Sequence, residues 1–286
     1  MKEQINYDYI INEIQKQVED YLVKCNLQSL VIGVSGGFDS GIGCALLAPI
    51  CKKLNIPLIG RYVHIESNKQ EEKDRAISVG NAFCSDFKCK DLTNEYLFFL
   101  HKAEEPSLFG GFNYNVTEVS DKIRRGNVKV RLRVNYLYNL AQKTKGIVVG
   151  CNNLTEYLLG FFTIGDGGDI NPFINIYKTD LYELAKVYKE RLETEEEKQA
   201  LQSVIDAVPT DGLGITNSDF DQFGVNSYDA VDEILKTYSI KKYYGKIDNE
   251  LQPLYDKYNK ESVWKVINRH LNSEFKRNHP YKIIIK

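Results

Sequence analysis

The stretch "VIGVSGGFDSGIGCALLA" (31–48) constrains the architecture of this chain more than any other. Residues 30–34 form a short, unbroken apolar run, as expected of a strand buried on both faces. Two adjacent glycines, Gly36 and Gly37, then allow a tight turn. A helix starts near Asp39 or Ser40, and Pro49 interrupts or bends it, because proline removes a backbone donor. A strand that feeds a helix through such a turn belongs to a βαβ unit, which commits the chain to a parallel sheet covered by helices.

The same alternation recurs downstream. Residues 57–65 read as a second strand, followed by a helix over "KQEEKDRAISVGNAF" capped by Ser67 or Asn68. Residues 87–92 form a weaker third strand, and 146–150 a fourth after a helix over 127–144. A short helix bearing Glu156 leads into "GDGGD" (165–169), and Thr179 caps another. An acidic helical segment covers 193–207, and the rest is mostly helical. Residues 104–121 and 208–224 read as long loops, which in compact domains are usually functional or disordered. Ahead of the first strand, Tyr7, Ile10, Ile11, Ile14, Val18, Tyr21 and Leu22 mark one face of a helix over 7–25. The expected fold is α/β: a mainly parallel, doubly wound sheet flanked by helices, in one domain over 1–286 with a helical C-terminal part. Ligands of such sheets bind beyond the carboxyl ends of the strands. The segments after Val34, Ile65 and Gly150 all leave from those ends.

Bulk properties narrow the function classes. The chain has 286 residues, 43% of them hydrophobic, with a mean hydropathy of -0.37. No apolar run approaches the roughly 20 residues of a membrane span, and "MKEQINYDYI" lacks the apolar core of a signal peptide. Six cysteines without a Cys-x-x-Cys pair fit free thiols in a reducing cytoplasm. The net charge of -2 gives no sign of a general nucleic-acid binder.

Read on its residues alone, "SGGFDS" is either an ordinary capped turn or an anion cradle. Ser35 and Ser40 offer hydroxyls, and the helix start offers unpaired N–H groups with partial positive charge. Asp39 would repel phosphate unless a cation lay between them, which suits a Mg²⁺ bridging carboxylate and phosphate oxygens. No P-loop lysine follows. The full pattern of strand, Ser-Gly-Gly-x-Asp-Ser and helix favours the cradle.

This segment resembles the PP-loop of the N-type ATP pyrophosphatases, with their adenine nucleotide alpha hydrolase-like fold. Four further stretches, "GNVKVRLRVNYLY" (126–138), "GCNNLTEYLLGFFT" (150–163), "GDGGDINP" (165–172) and "YKTDLYELAK" (177–186), resemble ammonia-dependent NAD synthetase in that order. The resemblance runs from about Tyr21 to Arg277. It implies adenylation of the nicotinate carboxylate of deamido-NAD by ATP, release of pyrophosphate, and displacement of AMP by ammonia. It also implies a homodimer and, without a glutamine-hydrolysing amidase domain, free ammonia as the nitrogen donor unless a separate subunit supplies it.

By that resemblance Asp39 and Glu156 are the Mg²⁺ carboxylates, and Asp39 and Lys178 the catalytic pair. Lys178 contacts the ATP phosphates; without the motif it reads as a solvated residue beside a cap. The ATP set is Gly33, Ser35, Gly36, Gly37, Asp39, Ser40, Arg61, Gln70, Cys151, Lys178 and Thr210. Arg61 matches a ribose or adenine contact, and Thr210 a loop that closes over ATP. The deamido-NAD set is Tyr21, Asn127, Arg131, Asp166 and Asp169. Asn127 and Arg131 are four apart and share a helix face, as do Lys129 and Arg133; a solvated basic face is the alternative reading. Tyr21 equally suits plain packing in its stripe. The chain departs from the family pattern in three places. The "FFTIGDGGDINP" loop is two residues short and lacks a lysine, Cys151 replaces a common threonine, and "VHI" (63–65) replaces "PHG". Other readings of the same scaffold are another PP-loop amide ligase, a tRNA thiolase, or a dinucleotide sensor.

Overall fold

The computed structural model describes residues 5–66, 69–103, 117–210, 218–242 and 251–284. Four parallel strands, β1 (Leu30–Gly33), β2 (Leu58–His64), β3 (Asp86–Asp91) and β4 (Ile147–Val149), form one sheet in the order β3-β2-β1-β4. The chain lays down β1, β2 and β3 in one direction, then returns to place β4 on the other side of β1. Strand order therefore reverses between β1 and β4, the place where open α/β sheets bind ligands. Register is set by pairs such as Val31 opposite Ile59 on β2 and Val148 on β4.

Side-chain alternation along the strands feeds two cores. Leu30 and Ile32 of β1 point into the larger one, built with α1 (Tyr7–Lys24), α2 (Phe38–Leu54), α3 (Gln70–Phe83), α7 (Lys178–Lys189) and α8 (Glu195–Ile205). Val31, Ile59 and Val148 point to the other face, where Leu137 and Ala141 of α5 (Glu118–Lys143) cover them. There Tyr96 and Leu100 of α4 (Thr93–Ala103) pack with Val63 and Ile65. Each large apolar side chain so buried contributes about 1.5–3 kcal/mol. The C-terminal helices form their own core around Val231, Ile234, Val263 and Ile267. They are α9 (Asp219–Phe223), α10 (Tyr228–Lys242), α11 (Gln252–Tyr258), α12 (Lys260–Asn272) and α13 (Glu274–Arg277). Leu159 of α6 (Leu154–Leu159) joins that core and so ties it to the sheet domain.

Several local expectations need correction. α2 runs unbroken through Pro49, because apolar residues around its circumference, from Phe38 to Cys51, are buried and hold it. α5 starts at Glu118, nine residues' worth of sequence earlier than the 127 expected from periodicity. Its start is set by Thr117, whose hydroxyl accepts from the Ser120 amide at 3.1 Å, and by Glu118–Lys122 and Asp121–Arg125 pairs of 2.8 Å each. Of the loop expected over 104–121, residues 104–116 lie outside the described residues, and 118–121 are helical. α4 is a further helix that the sequence pattern does not announce. α7 begins at Lys178 with Tyr177 as N-cap, so Thr179 is not the cap. α3 is preceded by Lys69 as N-cap, whose amide donates to Glu72; Ser67 and Asn68 lie outside the described residues. Within 208–224, Asp219–Phe223 is helical, and 211–217 lie outside the described residues.

The packing of α3 on β3 is tight at Gly80, where an added Cβ would lie 2.2–2.4 Å from the Phe87 ring. Gly80→Ala is expected to destabilise the fold by about 1–3 kcal/mol through overpacking. Urea denaturation measures it, and an unchanged midpoint would contradict this contact.

Candidate active site at the carboxyl ends of β1 and β4

The turn after β1 owes its shape to Gly36, whose φ is 81°. A Cβ at Gly36 would lie 1.9 Å from the Glu72 carbonyl oxygen of α3, so only glycine fits there. Arg75 of α3 pins the turn by donating Nε–H to the Gly36 carbonyl at 2.8 Å. Ser35 and Ser40 face each other, their hydroxyl oxygens 3.0 Å apart. Gly37 is the N-cap of α2 and brings no side chain to cap it. Asn153 and Thr194, by contrast, cap α6 and α8 with theirs. The first N–H groups of a 17-residue helix thus meet the turn without a side-chain acceptor from their own cap, a suitable end for an anion.

Asp39 sits in the first turn of α2, Glu156 in α6 and Lys178 at the start of α7. The Lys178 ammonium donates to Asp39 Oδ2 and, at 3.1 Å, to Glu156 Oε1. Lys178 is 3% exposed, and its ammonium also lies 5.5 Å from the Phe38 ring centroid and 5.2 Å from that of Tyr228. Burial works to lower the lysine pKa, but the two carboxylates outweigh it and hold the ammonium charged. Glu156 is pushed up to about 7, first by burial, then by the Asp39 charge, with Lys178 opposing both. The second Asp39 oxygen accepts from Asn153 Nδ2 at 2.9 Å. Asn153 also caps α6 in a reciprocal box with Glu156. The Asn-x-x-Glu spacing signals that box in the sequence, but it gives no hint that the amide also reaches Asp39.

Asp39, Glu156 and Lys178 line one cavity of about 360 Å³ beyond the strand ends. Of the expected residues, Gly33, Ser35, Gly37, Asp39, Ser40, Arg61, Cys151, Glu156, Asp166, Lys178 and Thr210 all border it. Thr210 reaches α3, donating its hydroxyl to Glu72 Oε1 at 3.2 Å. Arg61 is engaged sideways: it donates to Asp86 Oδ2 at 2.8 Å and to the carbonyls of Gly60 and Asp86. That bond, more than any other influence, lowers the Asp86 pKa. Cys151 is a free thiol whose pKa burial drives upward.

Asn127 and Arg131 of α5 contact the two residues that lead into the "GDGGD" loop. Thr163 donates its hydroxyl to Asn127 Oδ1 at 2.7 Å, and Arg131 Nε donates to the Ile164 carbonyl at 3.3 Å. Asp166 shapes that loop, accepting from the Thr163 amide at 2.9 Å and from Asn152 at 3.2 Å. Three residues sit elsewhere. Gln70 is exposed and donates to Asp74 at 2.7 Å, one turn along α3. Asp169 closes the edge of β4 by accepting from the Val148 amide at 2.8 Å. Tyr21 is 42% exposed on α1. In the second basic pair, Lys129 is buried against Glu66 at 3.2 Å, while Arg133 borders the cavity and donates to the Val63 carbonyl. Sequence reasoning missed Arg75, Asn153, Asp219 and Tyr228. Asp219 and Tyr228 are joined by a 2.6 Å bond from the phenol, and both come from the C-terminal helices.

The shared counter-charges make the site's stability non-additive. Asp39→Asn or Glu156→Gln alone leaves Lys178 one carboxylate. Losing both strands a buried ammonium, at a cost of about 3–5 kcal/mol. Urea denaturation of both single variants and the double should show a double loss exceeding the sum by about 1–3 kcal/mol; simple additivity would refute the shared pairing.

Comparison with known proteins converges on one family. The sequence profile of the NAD synthase family matches residues 10–280. The NH(3)-dependent NAD(+) synthetase of Finegoldia magna is 32% identical over 254 residues, spanning 87% of this chain and 92% of that protein. The same-named protein of Thermoplasma acidophilum is 32% identical over 259 residues, 90% of each chain. Among solved structures, the NMN synthetase of Francisella tularensis has a TM-score of 0.72 at 21% identity, covering 99% of both chains. The NH3-dependent NAD synthetase of Campylobacter jejuni, in complex with nitrate, has a TM-score of 0.70 at 19% identity, covering 98% of this chain and 100% of that one. The structural likenesses speak for the fold and the sequence matches for descent: the chain belongs to the NAD synthase family.

Proposed function

We propose that this chain converts deamido-NAD to NAD with ATP and ammonia, through an adenylated nicotinate carboxylate. The observation that carries the proposal is the meeting of Asp39, Glu156 and Lys178 beside an uncapped helix N-terminus, at the point where strand order reverses. Membership of the NAD synthase family supplies the substrate class.

In this reading ATP lies across the PP-loop. The Ser35 and Ser40 hydroxyls and the first amides of α2 hold the phosphates that leave as pyrophosphate. Asp39 and Glu156 would hold Mg²⁺. Supporting that reading, the Lys178 ammonium pairs with both carboxylates at once. The metal, when bound, neutralises phosphate charge and lowers the barrier to attack at the α-phosphorus. Lys178 then serves the phosphates that replace its present partners. The dinucleotide approaches from the Asn127, Arg131 and Asp166 side, so its carboxylate meets the α-phosphate within the cavity. The carboxylate oxygen bonds to the α-phosphorus as the α–β bridge breaks and pyrophosphate departs. Ammonia then attacks the activated carbonyl, and AMP leaves with the carboxylate oxygen.

A homodimer fits the surface. Leu97, Phe98 and Phe99 of α4, and Val119 and Ile123 of the adjoining α5, are all more than 40% exposed. An apolar surface of this kind on neighbouring helices marks a protein contact. Among the described residues no helix is long and apolar enough to cross a membrane. A cytoplasmic setting agrees with the free thiols Cys44 and Cys84, whose sulfurs lie 3.9 Å apart.

Two measurements test these readings. Chromatographic assay of products from deamido-NAD, ATP, Mg²⁺ and ammonium should show NAD, AMP and pyrophosphate in equal amounts, abolished by EDTA and restored by Mg²⁺. Scoring NMN formed from the corresponding mononucleotide acid separates the activity named for the Francisella structure. Asp39→Asn should lower kcat/KM by at least about 10²-fold, as expected for lost electrostatic stabilisation. No NAD from the wild type, or full activity in that variant, would overturn the proposal. For the assembly, Phe98→Glu should shift sedimentation from dimer to monomer; a wild-type monomer would refute the dimer.

A further inference from the structure

Asp232 lies outside every motif considered above, yet it is 2% exposed and wedged between the two helix starts that carry the site. Its Oδ1 accepts from the Thr155 hydroxyl at 2.5 Å. Its Oδ2 accepts from both the amide and the hydroxyl of Thr179, at 2.9 and 2.8 Å. Thr155 precedes Glu156, and Thr179 follows Lys178. The Thr155 hydroxyl oxygen also accepts from the Lys178 amide at 2.9 Å, so α6 lends a side chain to the start of α7. One helical turn along α10, Lys236 donates to Asp180 at 3.0 Å and lies 4.4 Å from the Tyr177 ring centroid. A single face of α10 thereby grips residues 177, 179 and 180, on either side of Lys178.

We infer that Asp232 is a positioning residue that fixes the Lys178 ammonium against the Glu156 carboxylate, and through them the ATP phosphates and their metal. This rests on the function proposed above. The physical reason is specific to a carboxylate. Three donors converge on Asp232, and an ionised carboxylate only accepts. The N-terminus of α7 also meets it, through the Thr179 amide, with partial positive charge that a buried anion offsets. An asparagine would fill the same space but aim donor hydrogens at some of those donors, leaving one group unmatched in a dry site. Lys178 and Glu156 would keep their places in the sequence and lose their fixed separation. Because the α5 and "GDGGD" side of the cavity makes none of these contacts, the effect falls on ATP and spares the dinucleotide.

The test compares Asp232→Asn and Thr179→Ala with Leu235→Ala, a buried apolar position of the C-terminal core on the same helix. Asp232→Asn should raise the KM for ATP and lower kcat by about tenfold each, the scale of a lost charge-assisted hydrogen bond, with the KM for deamido-NAD within about twofold. Thr179→Ala, which deletes one of the three bonds, should move the same parameters in the same direction by about two- to threefold. Leu235→Ala should lower Tm without altering the KM for ATP. If Asp232→Asn leaves both ATP parameters unchanged, or Leu235→Ala at matched Tm loss reproduces the pattern, the inference is overturned. If Asp232→Asn does not fold, an unchanged KM for ATP in Thr179→Ala overturns it. Should the wild type form no NAD, the proposed function fails. Calorimetric affinity for Mg²⁺ with a non-hydrolysable ATP analogue then decides the inference, which predicts weaker binding in Asp232→Asn than in Leu235→Ala.

Discussion

The site depends on a buried ammonium held by two carboxylates that come from different helices. Lys178 is enclosed by aromatic rings and two acidic side chains, so its charge persists only while Asp39 and Glu156 are in place. The same constraint acts in reverse. Glu156, buried next to Asp39, would take up a proton far more readily without the lysine. Each charge is tolerable because of the others, a coupling typical of buried polar networks. In the function proposed above, such a cluster is an exchange point, where a divalent cation and phosphates would replace internal partners without leaving a buried charge uncompensated.

Three helix starts carry this cluster, and different means aim each one. α2 is aimed by the sheet, through the glycine turn after β1 and the Arg75 bond to Gly36. α6 is aimed by its own capping box, which shares Asn153 with Asp39. α7 is aimed from α6 and α10, through Thr155 and Asp232. The C-terminal helices therefore do more than shield the sheet domain. Lys276 and Arg277 donate to the carbonyls of Gly160, Phe162 and Leu158 at the far end of α6, so that helix is fixed at both ends.

Much of this was legible in the chain. β1, β2, β4 and the helices flanking them follow from apolar runs and glycine turns. Ser35, Asp39, Glu156 and Lys178 follow from motifs whose spacing the fold preserves. Elements lacking a strong local signal were not. α4 is amphipathic but begins directly after an exposed edge strand, with no glycine or proline to mark the change. The first two turns of α5 are mostly charged and held by ion pairs, and their two apolar residues, Val119 and Ile123, are exposed rather than packed in the core, so hydrophobic periodicity starts too late. Thr179 reads as a cap from its residue type, while its hydroxyl is taken by a carboxylate 53 positions away. Asp169 reads as part of a binding loop, and only the structure shows its carboxylate accepting the Val148 amide at the edge of a strand.

The sequence by itself determined the parallel α/β class, the PP-loop, the identity of the three charged residues, and the family resemblance. The class and the PP-loop rest on patterns confined to a few consecutive residues, where backbone geometry fixes what neighbours can do; the charged residues follow from the order of several short motifs that resemble the family. Only the tertiary structure decided that Lys178 bridges Asp39 and Glu156, that Arg61 is turned toward Asp86, that Arg133 rather than Lys129 borders the cavity, and that Asp232 joins α6 to α7. Those pairings span 22 to 139 positions of chain. A charged side chain's partner at such separations is chosen by which helices pack together and how deeply the charge is buried, and no local pattern records either.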